Sequence, residues 1–183
     1  MACDGLPQRH TMNLQSDDFT LFDLPRTFAQ DRAVLDQRWR DLQRQAHPDR
    51  FAASPGTAQR VAMQWSVRIN EAYRRLKDPL RRAAYLCELH GAPIEAESNT
   101  AMPAHFLLKQ MEWREALEEA DSAAALEALH EEVRHSRSEA LAECGRLIDQ
   151  QRDFAAAARQ VRALMFITRF GDDVEDRIDQ LGQ

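Results

Sequence analysis

The chain has 183 residues, 44% of them hydrophobic and 30% charged, with a formal net charge of −6. That composition fits a soluble globular protein of one domain or two small ones, and the acidic balance argues against a dedicated nucleic-acid binder. The six glycines form neither of the common glycine-rich phosphate loops. No apolar run reaches membrane-spanning length, so no membrane partner is expected. The opening MACDGLPQRH lacks the apolar core of a secretory signal, and the expected compartment is the cytoplasm. Cys3, Cys87 and Cys144 are too few and too scattered for a disulfide framework or a zinc ribbon, and read as free thiols. The charge is uneven. Residues 1–90 carry fourteen basic and eleven acidic side chains, a balance of +3, whereas residues 91–183 carry ten and nineteen, a balance of −9. Such a split suggests two surfaces with different partners.

In chain order, nearly every long segment has a helical period. Asp31 is a suitable N-cap for a helix reaching about Ala46, with an apolar stripe of Leu35, Trp39, Leu42 and Ala46. His47-Pro48-Asp49 and Ser54-Pro55-Gly56 then make a loop, because proline disfavours a helical residue before it and breaks the hydrogen-bond ladder. A second helix is expected over about Thr57–Lys77, with Ala62, Trp65, Ile69, Ala72 and Leu76 inward. The Asp78-Pro79 step ends it and starts a third, which closes at His90-Gly91. Residues 91–101 are polar and contain Gly and Pro, the pattern of a linker. Three further helices are expected, over about Pro103–Ala120, Ser122–Gln150 and from Asp153 onward. The second carries Leu126, Leu129, Val133, Leu141, Cys144 and Ile148 inward. Gly171 is expected to weaken or bend the last. No strand pattern and no internal repeat are visible.

The triplet His47-Pro48-Asp49 follows a basic helix on which Arg40 and Arg44 lie four apart and share a face, with Arg38 and Arg50 flanking. Such a face suits an acidic protein surface. A catalytic His–Asp dyad would need a nucleophile and a substrate pocket, and neither GxSxG nor a neighbouring cysteine is present. In Phe106–Glu119, Leu107, Leu108, Met111 and Glu115 fall in one broad helical sector with Glu112 and Glu119 at its edge. Read alone, that is the core-facing stripe of a bundle helix. Cys87 and His90 form C-x-x-H but lack two further ligands, so no metal site is expected. His130 and His135 read as surface residues.

Three stretches in order resemble a J-domain: FTLFDLP at Phe19–Pro25, DLQRQAHPDRF at Asp41–Phe51, and INEAYRRLKDPLRRAAYLCELHG at Ile69–Gly91. With FLLKQMEWREALEE at Phe106–Glu119 and VRALMFI around Phe166, nearly the whole chain is similar to the HscB-type J-proteins. The resemblance implies an all-α fold of an N-terminal J-domain, a helical hairpin with its HPD loop, and a C-terminal three-helix bundle. It divides the chain into an N-terminal extension (1–16), the J-domain (17–91), a linker (92–101) and the scaffold-binding bundle (102–183). It implies that His47, Pro48 and Asp49, with Arg38, Arg40, Arg44 and Arg50, dock on an HscA-type chaperone of the DnaK class and stimulate its ATPase. The family often has lysine where Arg50 stands. Leu107, Leu108, Met111, Glu112, Glu115, Glu119 and Phe166 match the patch with which the family binds the IscU-type iron–sulfur scaffold. Trp113 stands where aliphatic residues are common, and it either packs inside or widens that patch. On this resemblance the chain is a non-enzymatic co-chaperone in iron–sulfur cluster biogenesis, with no catalytic residue, no cofactor, no metal and no nucleic-acid partner. Some relatives carry an N-terminal module of paired CxxC motifs; with Cys3 alone there, no zinc module is expected. The alternative, a general J-protein for unfolded clients, would be expected to have a cysteine-rich or β-rich client domain, which this sequence lacks.

Overall fold

The computed structural model describes residues 13, 15–47, 56–95 and 104–181. Its helices are α1 (Asp18–Phe22), α2 (Arg32–Ala46), α3 (Gly56–Lys77), α4 (Pro79–Leu89), α5 (Ala104–Glu119), α6 (Ala123–Gly145) and α7 (Phe154–Leu181). A π-helical turn, Arg146–Gln151, follows α6, and no strand occurs among the described residues. The all-helical class expected from the sequence is the one observed.

Short polar side chains fix the helix starts. Asp31 accepts from the Ala33 and Val34 N–H groups at α2. Asp78 accepts from Leu80 and Arg81 at α4, with Pro79 in the first turn. Asp17 and Ser122 do the same for α1 and α6. Each such cap contributes about 1 kcal/mol. At the far end of α4, Gly91 has φ +75°, the left-handed conformation that glycine adopts without a Cβ clash. One expectation needs adjusting. The helical pattern of Ser122–Gln150 is an α-helix to Gly145 and then the π-turn. Helix α7 runs through Gly171 to Leu181, with Phe170 and Val174 buried on either side of the glycine.

The residues divide into two units by packing. The first comprises the chain up to Arg26 and Asp31–Lys77. Its centre is the α2–α3 hairpin, which is antiparallel because Asp36 pairs with Tyr73, Trp39 with Asn70, and the Ala46 carbonyl with Ser66. Leu35, Ala62, Ile69, Ala72 and Leu76 are buried as their spacing predicts, and Phe19 and Phe22 of α1 complete this core. The Asp18 carboxylate, also buried, lies 2.6 Å from Arg68 and 3.0 Å from Arg75 of α3. A charge taken from water in this way is tolerable only because two guanidinium groups meet it.

The second unit comprises Thr27–Gln30 and Asp78 onward. Contacts between His130 and Glu175 and between Val133 and Gly171 make α6 and α7 antiparallel. Lys109 and Trp113 both reach Glu132, and Phe106 meets Phe166, so α5 runs against α6 and along α7. The three form the up–down–up bundle. Helix α4 packs on α7 as well: His90 stacks on Phe154 at 3.8 Å between ring centroids, and the Arg162 guanidinium donates to the Ile94 carbonyl. The packing boundary thus falls at Lys77/Asp78, ahead of the compositional break in residues 92–101.

Residues Thr27–Gln30 form a strap held on this unit. The Phe28 and Ala29 N–H groups donate to the two oxygens of Asp149 in the π-turn, at 2.7 and 2.9 Å. Arg82 donates to the Phe28 carbonyl and lies over its ring. The ring itself rests where a Cβ on Gly145 would stand, 2.9 Å away. Hydrogen bonds to a charged acceptor contribute about 1.5–3 kcal/mol. Asp149→Asn is therefore expected to destabilise the second unit by about 2 kcal/mol and to speed amide exchange at Phe28 and Ala29. Gly145→Ala, which overfills the site, should cost about 1–3 kcal/mol. Thermal unfolding and site-resolved exchange check both, and unchanged protection at Phe28 in Asp149→Asn would contradict the strap's anchoring.

Candidate functional site

The basic face on α2 is real but not uniform. Arg40 and Arg44 stand one turn apart and exposed. Arg44 pairs with Asp41, and Arg40 donates to Gln37 at 3.0 Å. Arg38 leans toward α1 instead and pairs with Asp23 at 2.8 Å. Gln37 and then Arg44 hold the Asp41 carboxyl below its usual range. Exposed ion pairs of this kind contribute at most about 1 kcal/mol, so the arginines can exchange these carboxylates for those of another protein. His47 caps α2, exposed, with φ −63° and ψ 125°, the extended conformation that a following proline favours. Pro48, Asp49 and Arg50 lie outside the described residues.

On α5 the sector that reads alone as core-facing points outward instead. The stripe that enters the bundle is Phe106 and Trp113. Leu107, Leu108 and Met111 are 46%, 62% and 67% exposed. Trp113 is 1% exposed, stacks on Phe170 at 5.6 Å and donates its indole N–H to Glu132 at 3.0 Å, so it packs inside. Lys109 and then this indole hold the Glu132 carboxyl below its usual range. Phe106 meets Phe166 edge-on at 5.8 Å, and Phe166 stacks with Phe170 at 6.1 Å. Four rings thus form a continuous ladder between α5 and α7. Phe166 is half-buried in it. Glu112, Glu115 and Glu119 are all exposed on α5. The bracing role of Phe106 and the Arg114 guanidinium over the Phe166 ring, at 5.7 Å, were not picked out from the sequence. The seven-residue spacing of Phe106 and Trp113 is a helical repeat and could have revealed the buried stripe.

Among the described residues no group of three His, Cys, Asp or Glu side chains could hold a metal ion. His90 of the C-x-x-H pair packs on Phe154 with its Nδ1 2.8 Å from the Leu86 carbonyl. No helix among the described residues is long and apolar enough to cross a membrane.

The chain is similar to proteins of one family. The pattern described as the HSCB C-terminal oligomerisation domain matches residues 102–175. The co-chaperone protein HscB homolog of Aromatoleum aromaticum is 47% identical over 93% of this chain and 98% of its own length. That of Burkholderia multivorans is 49% identical with the same coverage. Among solved structures, chaperone HscB from Vibrio cholerae superposes with a TM-score of 0.77 at 40% identity, covering 91% of this chain and 99% of its own. The human co-chaperone protein HscB gives 0.80 at 32% identity, covering 92% and 83%. The yeast Jac1 co-chaperone shares the fold at 22% identity, with a TM-score of 0.72 and coverage of 88% and 96%. These relatives are helical co-chaperones of one kind. The chain belongs to the HscB family, and with it to the co-chaperones of iron–sulfur cluster biogenesis.

The two described cysteines face inward. Burial, and secondarily Glu88, pushes the Cys87 thiol up to about 11. Burial, then Cys87 and Glu143, pushes Cys144 up to about 12. Both hold their protons more tightly when folded than an unfolded thiol, which ionises at about 8.5. The associated stability is complete below that pH and is lost as pH rises toward the folded values. Iodoacetamide at pH 8 is expected to leave both unmodified in the native protein and to alkylate both in denaturant, read by peptide mass mapping. The thermal midpoint should fall progressively above pH 9.

Proposed function

We propose that this protein is an adaptor of iron–sulfur cluster assembly in the cytoplasm. Its bundle (102–183) binds an IscU-type scaffold through Leu107, Leu108, Met111 and Phe166, with Glu112, Glu115 and Glu119 at the edge. Its J-domain (17–91), joined through residues 92–101, presents the HPD loop of His47, Pro48 and Asp49, with Arg38, Arg40, Arg44 and Arg50, to an HscA-type chaperone and stimulates its ATPase. The observation that carries this reading is the exposure of three large apolar side chains within little more than one turn of α5. Each forgoes a part of the roughly 1.5–3 kcal/mol that full burial contributes, and a partner surface would recover it. Methionine suits an adaptable contact, and the glutamates supply electrostatic selection at the rim.

One chain holding both proteins makes the second encounter nearly intramolecular, which raises its effective concentration. The chemistry of ATP hydrolysis stays with the chaperone. The test is steady-state ATP hydrolysis by the HscA-type chaperone with and without this protein and the scaffold, alongside calorimetric scaffold binding. His47→Gln is expected to abolish stimulation and spare scaffold binding. Combining Leu107→Ala, Leu108→Ala and Phe166→Ala is expected to weaken scaffold binding at least a hundredfold, since such anchors contribute about 1–2 kcal/mol each. Folded variants that each lose both activities would refute the two-surface adaptor.

A further inference from the structure

The two cations of α5 at this surface are engaged in different ways. Lys109 is bound into the bundle: its ammonium meets Glu132, lies 3.5 Å from Glu112 and sits over the Trp113 ring. Arg114 is exposed, with Glu112, Glu115 and Glu118 close by on the same helix. Yet it forms no ion pair with any of them among the described residues; its guanidinium lies over Phe166 of α7. Phe166 is a firm platform, because Phe106 braces its edge and Phe170 stacks beside it. A guanidinium held over a ring and paired with none of its neighbouring glutamates keeps N–H groups available for a carboxylate.

Leu107, Leu108 and Met111 are apolar, Glu112, Glu115 and Glu119 are anionic, and Lys109 is already paired. Apolar contact is non-directional, and a row of glutamates accepts basic groups at several registers. One cation in that field breaks the degeneracy, since a carboxylate elsewhere on the patch would face like charge. We propose that Arg114 receives a carboxylate of the bound protein, an aspartate or glutamate beside its apolar contact, and so sets the register and selectivity of docking on α5. This rests on the reading of the α5 patch as the scaffold site.

The test is calorimetric binding of the full chain to an IscU-type scaffold at two salt concentrations. Arg114→Met, which keeps an apolar cover on Phe166, is expected to weaken binding about tenfold, the effect of 1.4 kcal/mol, and to flatten its salt dependence. Arg114→Glu should weaken it further, and Arg114→Lys should fall between wild type and Arg114→Met, with thermal midpoints unchanged throughout. Combined Leu107→Ala and Leu108→Ala serves as the reference. If Arg114→Met and Arg114→Glu bind within twofold of wild type while the leucine variant fails, the inference is overturned and the patch reading stands. If the leucine variant binds normally, the patch reading falls and this inference with it. Weakened binding that tracks a lowered thermal midpoint, with salt dependence intact, would make Arg114 a brace for Phe166 and overturn its role as a contact.

Discussion

A helix laid along one flank of a bundle has a single stripe to bury, and on α5 that stripe is taken by Phe106 and Trp113. Their rings join Phe166 and Phe170 in a ladder with successive centroids 5.6–6.1 Å apart. Ring pairs at these separations add about 0.5–1.5 kcal/mol beyond the area they bury, so the rotation of α5 about its axis is strongly determined. Once it is determined, Leu107, Leu108 and Met111 have nowhere to point but outward. The exposed patch is a geometric consequence of the buried ladder. Phe166 belongs to both, which connects the packing of the bundle directly to the surface it offers.

The charged residues follow a comparable division. In the first unit the Asp18 carboxylate is buried between Arg68 and Arg75, where removing both arginines would leave an uncompensated charge. On α2 the arginines pair in the open with Asp23 and Asp41, where pairing is weak and exchangeable. The same residue type thus fixes the fold in one place and remains available in the other. The difference is burial, which a count of charges cannot reveal.

The helices were legible because their apolar stripes run for three or more turns and their ends carry Asp, Ser, Pro or Gly at the positions where backbone groups lack partners. Asp31, Asp78-Pro79 and His90-Gly91 each stand where the reading put them. What escaped was either too short or too distant. Helix α1 has five residues, fewer than two turns, so no period could identify it. The π-turn after Gly145 keeps helical composition and alters only the hydrogen-bond step. The strap at Thr27–Gln30 finds its acceptor in Asp149, far along the chain, and no local pattern encodes such a pairing. On α5, apolar residues occupy both the buried and exposed sides, and the wheel read alone turned Leu107, Leu108 and Met111 toward the core, where Phe106 and Trp113 stand instead. Only the family resemblance singled out the exposed one.

Helix α7 is the common partner of α4, α5 and α6, and it follows all three in the chain. The first unit draws its contacts mostly from within residues 15–77, so its core can assemble while the rest of the chain is still being synthesised. Helix α4 and the strap cannot settle at that stage, because the surfaces they cover, α7 and the π-turn, do not yet exist. Translation therefore produces a nascent chain in which α4 waits, its packing surface uncovered, for α7 to arrive. A stall or truncation ahead of residue 154 would leave the side of α4 that packs on α7 exposed, an interval in which the nascent co-chaperone would itself be a substrate for chaperones.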